Sequence, residues 1–237
     1  MVDLEGKVVM VTGAAGTLGG AVMRGFAAAG AKLFLTDIDQ RRLDDAAAQL
    51  PRRDDVLARA ADLGQPAAID AALAGVIARF GRIDALANIA GGYRSGPPLH
   101  ETSLADWDAM FNNNARSVFL VCKAVVPHML RAGGGKIVNV SSKGALAGFA
   151  GAGPYCASKA AVARLTESMS EELKGRGINV NCVIPSIIDT PPNRAAMPEA
   201  DYSRWVRPEQ LASVILFLAS DAAAAIHGAA IPVYGLS

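Results

Sequence analysis

The sequence predicts an α/β domain in which seven mainly parallel strands alternate with amphipathic helices, three on each face of the sheet. Three observations point to it. Short β-branched runs alternate with long Ala-rich stretches along the whole chain, the pattern of repeated βαβ units. Hydrophobic residues make up 51% of the sequence and aromatics only 5%, so the core is built from small aliphatic side chains that let helices pack closely on a parallel sheet. A glycine-rich turn after the first apolar run opens directly into a helical pattern.

Residues 7–11 read as the first strand and 18–29 as the helix after the glycine turn. Strand 32–37 ends on Asp37, helix 41–50 follows, and strand 56–61 precedes helix 67–80. Strand 85–88 leads to a long helix over 106–131, stopped by Gly133-Gly134-Gly135 before strand 136–140. Helix 154–174 begins at Pro154 and helix 208–219 at Pro208, where a helix start tolerates proline. Strands 179–184 and 230–233 complete the seven. Only residues 186–207 resist assignment to regular structure, and a loop of that length in a compact domain reads as a functional lid over substrate.

At 237 residues the chain falls within the range that α/β folds fill as one unit, and residues 1–237 read as a single domain without internal repeats. A net charge of +1 gives no reason to expect nucleic acid or an anionic membrane as partner. Asp3 and Glu5 stand where a secretory signal would be basic, so the expected location is the cytoplasm. The apolar runs break well before the ~18 residues a membrane span needs. Cys122, Cys156 and Cys182 are odd in number and widely spaced, which predicts buried, reduced thiols and no metal site.

The turn Thr12-Gly13-Ala14-Ala15-Gly16-Thr17-Leu18-Gly19 places backbone amides and a helix N-terminus where they can face a pyrophosphate, and small residues let the phosphate approach. Asp37 ends the next strand about 20 residues on, where an acid accepts hydrogen bonds from the adenosine ribose hydroxyls. Its carboxylate would repel a 2′-phosphate, and Ala14, Ala15 and Gly16 supply no cation, so NAD(H) is favoured over NADP(H). Arg41 or Arg42 remains within reach of a phosphate in the opposite reading.

In Tyr155-Cys156-Ala157-Ser158-Lys159 the Tyr and Lys lie four residues apart on a predicted helix and share a face. Reduction of a carbonyl requires a proton on oxygen, and a phenol with pKa near ~10 needs help to serve in both directions near neutrality. An ammonium at ~4 Å with an effective dielectric of ~20 contributes ~4 kcal/mol, or ~3 pH units of lowering. Ser142, at the end of Val138-Asn139-Val140-Ser141-Ser142, is placed to orient the substrate oxygen.

Together these residues resemble the short-chain dehydrogenase/reductase family over nearly the whole chain, with its motifs in order. The resemblance implies a Rossmann-type doubly wound sheet. It maps the family's glycine turn onto Thr12, Gly13 and Gly19, with Thr17 at the middle glycine position and Gly16 displaced by one. Asp62-Leu63 resembles the pair that meets adenine, and Asn88-Ile89-Ala90-Gly91 resembles the motif after the fourth strand. Asn114 matches the family's helix-kinking asparagine, which completes a tetrad with Ser142, Tyr155 and Lys159. Pro185-Ser186-Ile187-Ile188-Asp189-Thr190 resembles the segment that holds the nicotinamide carboxamide through Ile188 and Thr190, with Ser186 in place of the usual Gly. The implied assembly is a homotetramer or homodimer through the long fourth and fifth helices.

The stretch from Asp189 to Trp205, and Ala90-Gly91-Gly92 before Tyr93, is similar to dihydropteridine reductases, although those enzymes generally lack the Ser and Asn kept here. Tyr93, Phe149, Met197 and Trp205 are, with Ser142, the candidates for the substrate wall. The leading expectation is hydride transfer between NAD(H) and a small carbonyl or alcohol. Tyr155 is then the general acid/base, and Lys159 holds the ribose. The alternatives are reduction of a quinonoid dihydropterin and a non-catalytic NAD sensor.

Overall fold

The computed structural model describes residues 2–237. The strands are β1 (Val8–Thr12), β2 (Lys32–Thr36), β3 (Val56–Ala58), β4 (Ala85–Asn88), β5 (Gly135–Val140), β6 (Ile178–Pro185) and β7 (Ala230–Val233). They form one sheet in the order β3-β2-β1-β4-β5-β6-β7, and every neighbouring pair is parallel. The helices are α1 (Thr17–Ala28), α2 (Gln40–Ala47), α3 (Pro66–Phe80), α4 (Leu104–Phe111), α5 (Ser117–Arg131), α6 (Gly153–Leu173), α7 (Pro191–Ala196) and α8 (Pro208–Leu218).

Alternation within the strands feeds two apolar layers, because successive side chains point to opposite faces. Val9 and Val11 of β1 pack with Phe26 of α1, Leu43 of α2 and Ile215 of α8. Val8 and Met10 pack with Val76 of α3, Val125 of α5 and Val162 of α6. Three helices therefore cover each face, as the sequence predicts. Local chemistry fixes where they start: Asp39 accepts the Arg42 N–H ahead of α2 at 3.1 Å, Ser103 accepts the Asp106 N–H ahead of α4 at 3.0 Å, and proline occupies the first turn of α3, α6 and α8.

Two predicted elements differ. The long helix expected over 106–131 is α4 and α5 joined by a π-helical turn at Asn112–Arg116. The reason lies at Asn114, whose buried side-chain amide bonds outside the helix and draws the turn wider. Residues 186–207, expected to lack regular structure, contain α7, a 3₁₀ turn at Tyr202–Arg204 and a parallel bridge between Ile188 and Val206. Pro191 and Pro192 pre-set the helical φ of α7, the Thr190 hydroxyl accepts the Asn193 N–H, and Asp189 pairs with Arg194 through two hydrogen bonds of 2.6 and 2.7 Å.

Among the described residues no helix is long and apolar enough to cross a membrane. The three cysteines are free and buried; burial pushes the Cys122 thiol up to about 12 and the Cys182 thiol up to about 11.

Candidate active site

Strand order reverses between β1 and β4, and the crevice at the carboxyl ends of such strands is where open α/β sheets bind ligands. Thr12 ends β1, and its buried hydroxyl accepts the N–H groups of Ile89 (3.0 Å) and Ala90 (3.1 Å) beyond β4. This pulls the two loops together over Gly13. Gly13 has φ +66°, and a Cβ there would lie 2.8 Å from the Ala90 Cα, so no other residue fits. Gly19 is equally constrained, since a Cβ would meet the Gly13 carbonyl oxygen at 2.0 Å.

Gly16 has a different task. It is the residue before α1, and no side chain caps the first-turn amides there; Thr17 is exposed, and Leu18 anchors the turn in the core. Those free N–H groups and the positive end of the helix dipole suit a phosphate. Asp37 lies beside them: its carboxylate accepts the Ala15 N–H at 3.1 Å and the Ile38 N–H at 2.8 Å. The Arg42 guanidinium donates to the Ala15 carbonyl at 3.2 Å, so a cation stands on the other side of the same residue. Asp62 is exposed and closes its own turn by accepting the Gly64 N–H, while Leu63 packs against the core.

Asn88 is fully buried. Its side-chain amide donates to Asn139 of β5 at 2.8 Å and faces the Cys122 thiol, so the side chain ties β4 to β5 instead of turning toward the crevice. Asn139 in turn donates to Thr166 of α6 at 2.9 Å, and Thr166 donates to the Val162 carbonyl. A cofactor role for Asn88 therefore does not rest on its side chain.

Asn114 uses its whole amide. Its NH₂ donates to the Gly92 carbonyl (3.1 Å) and to Ser158 (3.0 Å), and its oxygen accepts the Gly92 N–H at 2.9 Å. Gly91 is held beside it, since a Cβ there would lie 2.8 Å from the Asn114 Oδ1 and 3.2 Å from the Lys159 Nζ. The π turn, the loop after β4 and α6 thus meet at one point.

Ser142 leaves β5 with extended backbone, and its oxygen accepts the Gly144 N–H at 3.1 Å, which leaves its own proton for the Tyr155 oxygen. Tyr155 is held above the ordinary phenol range by burial, and the Ser142 hydrogen bond opposes that rise. Lys159, only 6% exposed, donates to the Val140 carbonyl at 2.9 Å, and burial lowers it to about 8. The expected strong lowering of Tyr155 by Lys159 is absent. The ammonium is directed to the end of β5 and to Gly91, and burial is the dominant influence on the phenol.

Of the proposed wall residues, Tyr93 stands against Tyr155 edge to face at 4.9 Å, and Phe149 lies beside Gly144 and Cys156. Both are exposed, at 56% and 50%. Met197 is half-buried after α7. Trp205 is buried against Tyr202, ring centroids 4.8 Å apart, and lines a cavity of about 520 Å³ with Asp189, Arg194 and Leu236. Pro185 ends β6, Ile188 bridges to Val206, and the Thr190 hydroxyl caps α7. Ser141, Ser158 and Asn139 carry contacts that residue-type reasoning passes over, because small polar residues have many structural uses.

A profile of the short chain dehydrogenase family matches residues 7–201. A D-threitol dehydrogenase of Mycolicibacterium smegmatis is 38% identical over 98% of this chain and 93% of its own length. A 3-oxoacyl-[acyl-carrier-protein] reductase of Thermotoga maritima is 39% identical, covering 98% of both chains. The crystal structure of a short-chain dehydrogenase/reductase, glucose/ribitol dehydrogenase, from Brucella melitensis superposes with a TM-score of 0.91 at 34% identity, covering 99% of this chain and 97% of that one. The sheet, its crevice and these likenesses identify the chain as an oxidoreductase whose family uses NAD(P)(H), a member of the short-chain dehydrogenase/reductase family.

Proposed function

We propose that the chain transfers hydride between NAD(H) and a small ketone or secondary alcohol, with Tyr155 as the general acid/base. The observation that carries this reading is the Ser142 side chain, fixed by the Gly144 N–H and in hydrogen-bonding contact with Tyr155, beside a buried Lys159. Relatives named for D-threitol, meso-2,3-butanediol and 3-oxoacyl groups support a hydroxyl/carbonyl substrate class.

The crevice suits a dinucleotide. Uncapped first-turn amides at Thr17 and Leu18 would hold its pyrophosphate, Asp37 the adenosine ribose, and Lys159 the nicotinamide ribose. When bound, the nicotinamide supplies or takes up the hydride.

The protein residues handle the proton. With substrate bound, Ser142 and Tyr155 would both turn their hydroxyls to the substrate oxygen, and Tyr155 would give up its proton as the carbonyl oxygen becomes an alkoxide. Burial keeps Tyr155 protonated at neutral pH, the state that reduction needs. Lys159 titrates at about 8, so most of it is cationic at pH 7, the form suited to holding the nicotinamide ribose. Tyr93 and Phe149 provide apolar rims beside the phenol.

The test is NADH and NADPH oxidation with a panel of aldehydes, ketones, quinones and quinonoid dihydropterin. Turnover of a ketone with NADH is expected. The Tyr155→Phe variant should lose at least ~100-fold in kcat while binding NADH as the parent does. A variant that keeps its turnover would remove Tyr155 from the chemistry.

A further inference from the structure

We propose that Ser141 is a positioning residue for this reaction: its buried hydroxyl fastens α6 to the end of β5 at Lys159 and so sets the Tyr155 and Lys159 pair against Ser142. The proposal deepens the oxidoreductase reading and rests on it.

Ser141 and Ser142 are consecutive in extended backbone, so their side chains point to opposite sides. Ser142 faces Tyr155, whereas the Ser141 hydroxyl, 1% exposed, donates to the Lys159 carbonyl at 2.8 Å. The Ser141 N–H donates to Val183 of β6 at 2.9 Å, which anchors this serine in the sheet. Lys159 returns the contact through its ammonium, which donates to the Val140 carbonyl at 2.9 Å.

One residue of the catalytic helix is thereby held at both ends, carbonyl and ammonium, by Ser141 and by Val140, the last residue of β5. Lys159 lies inside α6, so its carbonyl already has a helical partner one turn on. The Ser141 bond therefore adds nothing the helix needs for its own backbone. What it adds is a fixed depth and rotation of α6 relative to the strand that carries Ser142. Tyr155 sits one turn earlier on the same helix, where Ser158 donates to its carbonyl at 2.8 Å while accepting from Asn114.

The groups around Lys159 make its titration a reporter of this contact. Cys182 faces it from β6, Tyr155 shares its helix, and Asn114 and Gly91 approach from the π turn and the loop after β4 without charge. A shift of the ammonium away from the Val140 carbonyl changes its solvation before any other charge.

The experiment compares Ser141→Ala and Ser141→Thr with the parent. It measures kcat and KM, and follows the Lys159 Nζ titration by ¹⁵N NMR in the cofactor-free protein. Ser141→Ala is expected to lower kcat about tenfold with KM for NADH within about twofold, and to displace the Lys159 titration. Ser141→Thr keeps the hydroxyl and should restore both. An alanine variant with unchanged kcat and unchanged Lys159 titration overturns the assignment. Where the threonine variant does not fold, the titration in the alanine variant decides alone. A parent protein without turnover on any substrate counts against the oxidoreductase reading, whereas the titration still tests the Ser141 contact.

Discussion

Replacing Asp37 by Ser should move the cofactor preference from NADH toward NADPH. The Asp37 carboxylate is fixed by the N–H groups of Ala15 and Ile38 at 3.1 and 2.8 Å, so it does not swing away from an incoming 2′-phosphate. At ~5 Å, with an effective dielectric between the ~20 of a protein surface and the ~80 of water, one unit of repulsion amounts to ~1–3 kcal/mol. That corresponds to roughly 5- to 150-fold in relative affinity. Asp37→Ser removes this term and some ribose affinity as well, so NADH should weaken while NADPH strengthens. Arg42, which donates to the Ala15 carbonyl at 3.2 Å, is the nearest cation for the phosphate, and Asp37→Ser/Arg42→Ala should lose the NADPH gain. The assay is calorimetric titration of both dinucleotides at low and high salt, because the electrostatic part shrinks as the Debye length falls. Equal NADH/NADPH ratios in parent and Asp37→Ser, or a parent that binds NADPH more tightly, would refute the reasoning.

Two further outcomes follow from the site. Lys159 titrates at about 8 against an ordinary 10.5, so its buried charge opposes folding fully below pH 8, and the penalty fades as pH rises from 8 toward 10.5. Lys159→Met should raise stability by up to about 3 kcal/mol at pH 7 and by little near pH 10, while turnover is lost; urea unfolding at both pH values checks this, and an equal gain at both contradicts it. Gly13→Ala places a Cβ 2.8 Å from the Ala90 Cα at a φ of +66°, so the loop after β4 must move. A loss of ~2–4 kcal/mol in urea unfolding, accompanied by weaker NADH binding, is expected, and a variant as stable as the parent would show that the two loops yield freely.

Much of this molecule is legible in the sequence because the signals are local. Alternation in Val8–Thr12 and Lys32–Thr36, a glycine turn and prolines at helix starts act within a few residues, and they lead to the seven strands and six main helices without reference to distant chain. The Tyr155 and Lys159 spacing is local in the same sense. The segment 186–207 is less legible. Two prolines and the Asp189–Arg194 pair build α7 within it, but its bridge from Ile188 to Val206 closes across 18 positions, a span that no periodicity reports.

The sequence by itself determined a parallel α/β sheet, a glycine turn at its first βα junction and the candidate residues for proton chemistry. Tertiary structure decided how those residues are set. Only the folded chain turns the Asn88 amide into the sheet, opens a π turn at Asn114 and lets desolvation lift Tyr155 while lowering Lys159. Hydrogen-bond partners and solvent exclusion depend on elements more than 18 residues apart, such as Asn114 with Gly92 and Asn88 with Asn139. Residue type states what a side chain is able to do, and packing selects which of those things it does.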